Sequence, residues 1–190
     1  MLTGGTSAGD VYELAAKLRP DWSDTELWWS DERCVPPEHE LSNYRLAKET
    51  LLDRVTAGAV HRMRGELGRD AGSVEYELEL AGLERFDFIF LGLGSDGHVA
   101  SLFPDQSTLD ETERRAIGAE AKLEPYVDRI TLTLPMLCSA PTVVYLVTGE
   151  SKADAVRRAF ADEPSRATPG SLVRGEETLV VLDAAAAAVL

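Results

Sequence analysis

A chain of 190 residues can bury roughly two-thirds of the surface its unfolded form exposes, so one domain can stand without a metal or disulfide staple. Its 44% hydrophobic and 27% charged residues are the balance of a globular protein and exclude a disordered one. The 33 acids against 19 bases leave a formal charge of −14, which repels a phosphate backbone and argues against nucleic-acid binding by general electrostatics.

In chain order, Val11, Leu14, Ala15 and Leu18 recur at helical spacing, and Pro20 closes that face. The helix is expected from Asp10. Thr25-Glu26-Leu27-Trp28-Trp29 reads as a short strand. Ser42 is placed to cap a helix carrying Leu46, Ala47, Thr50 and Leu51 that ends before Gly58. The nearly continuous apolar run Phe86–Leu91 fits a strand covered on both faces of a parallel sheet. Ile130-Thr131-Leu132-Thr133-Leu134 alternates as a strand does, and Thr142–Val147 and Thr178–Leu182 add two more. Gly149, with Ser151 three residues before Asp154, resembles a capping box that opens a helix. The run Ala184–Ala188 is strong helix former. Strands alternating with helices predict a single α/β domain over residues 1–190, its sheet mostly parallel and flanked by helices.

In open α/β sheets, ligands bind beyond the carboxyl ends of the strands, so the loops after Leu2, Trp29, Leu91 and Val147 are the places to look. After Leu91 the glycines of Gly92-Leu93-Gly94-Ser95-Asp96-Gly97 match a dinucleotide fingerprint, but the context is wrong. Pro104 leaves little more than one helical turn after Gly97, and no acidic residue ends a second strand about 20 residues on. What the turn does present is Asp96 two residues before His98. A neutral histidine, with an ordinary pKa of about 6.5, can take a proton from water, and a neighbouring carboxylate can fix its tautomer. A lone histidine is more often a turn or capping residue; the density of glycines at a strand end reverses that preference here.

After Trp29, Ser30-Asp31-Glu32-Arg33-Cys34-Val35-Pro36-Pro37 sets an ionic cluster against a rigid turn. Arg33 offers a planar fork suited to phosphate or carboxylate, or equally an internal salt bridge with Asp31 or a remote acid. After Leu2, Thr3-Gly4-Gly5-Thr6-Ser7 leads into a helix, where backbone N–H groups and hydroxyls favour an anion; it has no Walker lysine. Lys152 falls in the first turn of a helix, where the dipole disfavours a cation, so a phosphate contact competes with a solvated surface lysine. His39 and His61 have no such context. Cys34 and Cys138 form no disulfide framework and, with no H-x-x-x-H or C-x-x-C spacing, no metal site. No apolar run approaches the ~20 residues of a membrane span, and the start shows no signal peptide. The expected setting is the cytoplasm, without a membrane partner.

Together these stretches resemble the 6-phosphogluconolactonase family. The matching stretches are Gly4-Gly5-Thr6-Ser7, Asp31-Glu32-Arg33-Cys34-Val35-Pro36, Ser42-Asn43-Tyr44-Arg45-Leu46-Ala47, Gly92–Pro104 and Gly149-Glu150-Ser151-Lys152. The specific signature is Asp96-Gly97-His98 with Ala100-Ser101-Leu102-Phe103-Pro104. The resemblance implies hydrolysis of 6-phospho-D-glucono-1,5-lactone to 6-phosphogluconate in the oxidative pentose phosphate pathway. It also implies a Rossmann-like fold shared with glucosamine-6-phosphate deaminases, and no cofactor or metal. It carries His98 over as the base with Asp96 beside it, and Asp31 and Arg33 as charged active-site residues. Gly4, Gly5, Thr6, Ser7, Asn43, Gly94 and Lys152 carry over as the substrate-binding set. The sequence departs from the family at Gly4-Gly5-Thr6-Ser7-Ala8, where Gly-Gly-Ser-Thr-Pro is usual, and at its start. Family members have a helix and a complete strand before the glycine loop, where this sequence has Met1-Leu2. That start implies exposed apolar surface, in a monomer or weak homo-oligomer. A glucosamine-6-phosphate deaminase-like isomerase is the nearest alternative, but its Gly-His is followed by Ile-Ala-Phe-Asn-Glu. A non-catalytic sugar-phosphate sensor would need a DNA-binding helix pair for which the chain has no room.

Overall fold

The computed structural model describes residues 1–122 and 124–190. Eight strands run in chain order: β1 Asp21–Trp28, β2 Asp31–Arg33, β3 Thr56–His61, β4 Phe88–Leu91, β5 Ala116–Ala119, β6 Arg129–Leu132, β7 Thr142–Val147 and β8 Glu177–Leu182. The helices are α1 Thr6–Leu18, α2 Asn43–Thr50, α3 Arg69–Glu79, the single turn α4 Leu134–Leu137 and α5 Ala153–Phe160.

β1 and β3 pair in parallel, as do β4, β7 and β8. The dipeptide Met1-Leu2 stitches the two groups together. Leu2 N donates to Trp28 O and Ser30 N to Leu2 O, while Phe90 N donates to Met1 O and the Met1 amine to Phe88 O. The combined parallel order is therefore β3-β1-Met1/Leu2-β4-β7-β8, with the reversal of strand order at its centre. A separate antiparallel sheet, β2-β6-β5, continues from the end of β1 and packs against α3. Tyr76 of α3 is wholly buried; its hydroxyl accepts from Trp29 N at 3.0 Å and donates to Trp29 O at 3.3 Å. The phenol so closes the backbone where the chain passes from one sheet to the other.

The expected strands are present, with edges that burial explains. The first half of β1 has β3 on one side only, so it keeps the polar Asp21, Ser23 and Asp24 exposed; the strand starts earlier than its apolar end suggests. Three expectations are corrected. The first helix begins at Thr6, not Asp10, because Gly5 turns directly into it with φ of 102°. It ends as foreseen: Arg19, forced out of helical geometry before Pro20, is extended. As expected, Ser42 caps α2 by accepting from Arg45 N and the helix ends before Gly58, at Thr50; Gly58 itself lies inside β3. There a side chain would stand 2.4 Å from Ser23 O. Ser151 makes no cap; Gly149 opens a 3₁₀ turn, Glu150–Lys152, that runs into α5. Ala184–Ala188 forms turns rather than a helix, too short to hold helix without an apolar face to pack.

An apolar groove of about 880 Å³ lies over β1, β4 and β7 along α1, lined by Tyr12, Trp22, Trp28, Phe88 and Leu146 among others. Among the described residues, no helix is long and apolar enough to cross a membrane.

Candidate active site

The carboxyl ends of Met1-Leu2, β4 and β7 meet the antiparallel sheet around a cavity of about 410 Å³. Of the residues singled out from sequence, Gly4, Gly5, Thr6, Ser7, Asp31, Arg33, Asn43, Gly94, His98 and Lys152 all line it. Asp96 sits just behind His98.

The loop after β4 is a scaffold for one imidazole. Gly94 N donates to His98 O, and Gly97, at φ of 97°, lets the chain double back with Gly97 N on Gly94 O. A Cβ on Gly94 would stand 2.0 Å from His98 Nδ1. Gly94 is thus a seat for the ring, and its own N–H is spent inside the loop. Asp96 Oδ1 accepts from His98 N at 3.1 Å and lies 2.6 Å from Nδ1. Half-burial pushes the Asp96 carboxyl up, but the hydrogen bond and charge of His98 outweigh it and hold it below the usual 3.8. An ionised carboxylate only accepts, so Nδ1 presents its proton to Asp96, and in the neutral ring it is Nε2 that holds the free lone pair. Phe103 packs beside the ring with centroids 5.0 Å apart.

The strand β2 holds two carboxylates with other tasks. Asp31 is buried; Oδ2 accepts from Ser101 Oγ at 2.7 Å, and Oδ1 accepts from Asn43 Nδ2 at 3.2 Å and Ser30 Oγ at 3.3 Å. Ser101 N also donates to Thr131 Oγ1, so the loop carrying His98 is pinned to both β2 and β6. Glu32 is buried too and accepts from Arg33 N, Asn43 N and Tyr44 N, each at 2.7 Å, and from Ser42 Oγ at 3.0 Å. Burial pushes its carboxyl up even against these four hydrogen bonds. Two of its donors are the first amides of α2, so Glu32 caps that helix from outside it. Asn43, placed by this cap, lies flush against Gly4, where a Cβ would be 2.1 Å from Asn43 Oδ1.

Among the described residues, the internal salt bridge weighed for Arg33 does not form. Its Nη1 donates to Leu41 O at 2.6 Å, and its Nε is buried with no hydrogen-bond partner among the described residues. Directly opposite in the antiparallel register stands Arg129, a cavity residue that sequence reasoning missed. Arg129 is buried and donates to Val127 O and Pro125 O; burial and then the charge of Arg33 lower its pKa. Lys152 faces the same space, its ammonium pushed down by burial and partly restored by Asp96. Among the described residues, none of these three cations is in an ion pair with a carboxylate. Like charges opposite each other in a sheet are unfavourable, so the arrangement stores a demand for an anion. The amino end of α1 adds to it: no side chain caps it and no acid occupies its first turn, leaving the orphan amides of the Gly5–Ser7 turn toward the cavity. Tyr12 holds this turn, donating to Thr3 O at 2.7 Å and accepting from Thr3 N at 2.8 Å. Ser7 Oγ is engaged with Thr148 Oγ1 at 2.8 Å; Thr148 is a second lining residue not foreseen. His39 and His61 lie outside the cavity, and His61 stacks on Trp28 at 3.8 Å.

Comparison with known proteins agrees with this geometry. The family model described as glucosamine-6-phosphate isomerases/6-phosphogluconolactonase matches residues 1–181. A 6-phosphogluconolactonase of Mycobacterium leprae is 38% identical over 205 residues, covering 99% of this chain and 83% of that one. One of Streptomyces coelicolor is 39% identical over 211 residues, covering 100% and 81%. The crystal structure of 6-phosphogluconolactonase from Thermotoga maritima superposes with a TM-score of 0.85 at 32% identity, over 95% of this chain and 82% of that one. A monomeric glucosamine-6-phosphate deaminase shares the fold, with a TM-score of 0.86 at 18% identity, over 100% and 86%. The chain belongs to the glucosamine-6-phosphate isomerase/6-phosphogluconolactonase family.

Proposed function

We propose that this protein hydrolyses 6-phospho-D-glucono-1,5-lactone to 6-phosphogluconate in the pentose phosphate pathway. One observation carries the reading: a histidine with Nδ1 committed to Asp96 shares a polar cavity with three cations that have no carboxylate partner among the described residues. The relatives named above as 6-phosphogluconolactonases support it.

A 1,5-lactone is an activated ester, so water suffices as the nucleophile. His98 Nε2 takes a proton from that water as its oxygen bonds to the lactone carbonyl carbon. Asp96 stabilises the imidazolium so formed. The tetrahedral intermediate collapses by breaking the bond from that carbon to the ring oxygen, and His98 returns the proton to the departing oxygen. The immediate product is a carboxylic acid and a free hydroxyl; the acid then releases its proton to solvent to give the carboxylate. Arg33, whose Nε–H has no partner among the described residues, Arg129, Lys152 and the Gly5–Ser7 amides supply donors for the phosphate and for the oxyanion. Thr6, whose hydroxyl makes no hydrogen bond among the described residues, is the freer phosphate ligand, since Ser7 is engaged by Thr148. Asp31 and Asn43 act by holding the two loops together.

The test is a coupled assay with freshly prepared lactone, corrected for spontaneous hydrolysis at the same pH, run beside glucosamine 6-phosphate. Accelerated lactone opening with no ammonia release from the amino sugar is the expected result. Lactone opening at the background rate removes the proposal.

A further inference from the structure

The turn that presents His98 is held from behind by a residue outside every motif. Arg158, on the second turn of α5, donates from Nη2 to Ser95 O at 3.1 Å and from Nη1 to Asp96 O at 3.1 Å. Nη1 also reaches Thr168 Oγ1 at 2.9 Å, while Nε reaches Asp154 Oδ2 at 2.8 Å. Gly170 N takes the next carbonyl, Gly97 O, at 2.9 Å. Three successive carbonyls of the turn are therefore claimed by the segment that follows β7. The fit is close: a Cβ on Gly97 would lie 2.8 Å from Thr168 Cγ2 and 3.1 Å from Arg158 Nη1. The strap bearing Thr168 and Gly170 is itself fastened, since Tyr145 of β7 donates to Gly170 O at 3.1 Å.

We infer that Arg158 is a positioning residue for the His98–Asp96 pair, and this rests on His98 being the base proposed above. The carbonyls it grips belong to Asp96 itself and to the residue before it, so the planar fork sets where the carboxylate meets Nδ1. A guanidinium presents two such donors in fixed geometry; an ammonium does not. The helix that carries Arg158 begins beside Lys152, so one rigid element sets both a cation of the cavity and the orientation of the base.

Arg158→Ala, Arg158→Lys and the parent are compared in kcat, KM, the pH profile of kcat, and the NMR signals of the His98 ring, assigned by their loss in His98→Asn. The expected result is a fall in kcat of about 10- to 100-fold for Arg158→Ala, the scale of misplacement by an ångström. KM should stay within about twofold, the acid limb of the profile should move, and the Nδ1–H signal should shift or broaden. Arg158→Lys should fall between, because one carbonyl at most is regained; it also serves if the alanine variant fails to fold. A folded variant with lowered thermal midpoint but parental kcat, pH profile and ring signals overturns the inference and leaves Arg158 a staple of α5. The ring signals are read without turnover, so a parent enzyme inactive on the lactone fails the functional reading separately: unchanged ring signals in the variant still overturn the placement.

Discussion

The loop Gly92–Pro104 and the strand Asp31–Arg33 both bring a carboxylate to the cavity, yet they are built in opposite ways. Asp96 is half-buried, meets one imidazole, and is held below the ordinary carboxylate value by it. Asp31 and Glu32 are enclosed by neutral donors, and burial drives Glu32 above its ordinary value. On the loop the negative charge faces an imidazole that, as the base proposed above, gains its charge during reaction; on the strand the carboxylates are acceptors that gather backbone and hydroxyl groups into one piece. On the proposed mechanism, a signature of acids and bases in sequence thus contains one group for chemistry and two for architecture, and only their donors tell them apart.

The comparison breaks first at His98. His98→Asn keeps a polar side chain but supplies no base near neutrality, so kcat should fall by about 10²- to 10⁴-fold while urea unfolding stays near parental. Near-parental kcat in a folded His98→Asn protein removes the loop from the chemistry.

Asp31→Ala should show the opposite balance. It leaves the hydroxyl of Ser101 without its acceptor and removes one of two bonds from Ser30 Oγ and Asn43 Nδ2, which keep Thr3 Oγ1 and the backbone carbonyl of residue 31, at about 1–3 kcal/mol for the buried donor stranded. Chemical denaturation should therefore report a loss of about 1–3 kcal/mol, larger than for Asp96→Asn, whose cost should be read mainly in kcat. Equal losses of stability would erase the distinction between the two aspartates.

The cations should act on affinity. Lys152→Ala should raise KM about tenfold with kcat little changed, as expected when an interaction is made in ground and transition states alike. 6-Phosphogluconate should raise the thermal midpoint of the parent by mass action, and Arg33→Ala should abolish most of that shift. A full shift in Arg33→Ala would assign its fork to Leu41 O alone.

The smallest effects are in the pH dependence of stability, and they have opposite signs. Asp96 has a folded value below 3.8, so its contribution is present above 3.8 and is lost as pH falls through the lower folded value; the gap in thermal midpoint between the parent and Asp96→Asn should shrink there. Glu32 has a folded value above 4.5, so its contribution is full below 4.5 and is lost as pH rises through the folded value. Relative to Glu32→Gln, the parent should gain as pH falls toward 4.5. Gaps that move in the same direction would contradict the contrast drawn between loop and strand.

By itself the sequence determined the α/β class, the strand ends where the site lies, and the His98–Asp96 pair. These depend on local quantities: apolar runs long enough for buried strands, glycines that permit sharp turns, and two residues joined within one turn. The Ser42 cap was legible for the same reason, because donor and acceptor are three residues apart. Tertiary structure alone decided the rest. Arg129 meets Arg33 only through an antiparallel register, and nothing near either arginine in the chain encodes the other. Asp31 became an anchor because Ser101 arrives from 70 residues away. Arg158 reaches the His98 turn across 62 and 63 residues, a separation over which spacing carries no information. Helix starts were misjudged at Asp10 and Ser151 because glycine, free of a Cβ, can enter a helix without the polar cap that sequence patterns look for. What a charged side chain does here depends on which donors the fold delivers to it, and the chain closes those distances only when it packs.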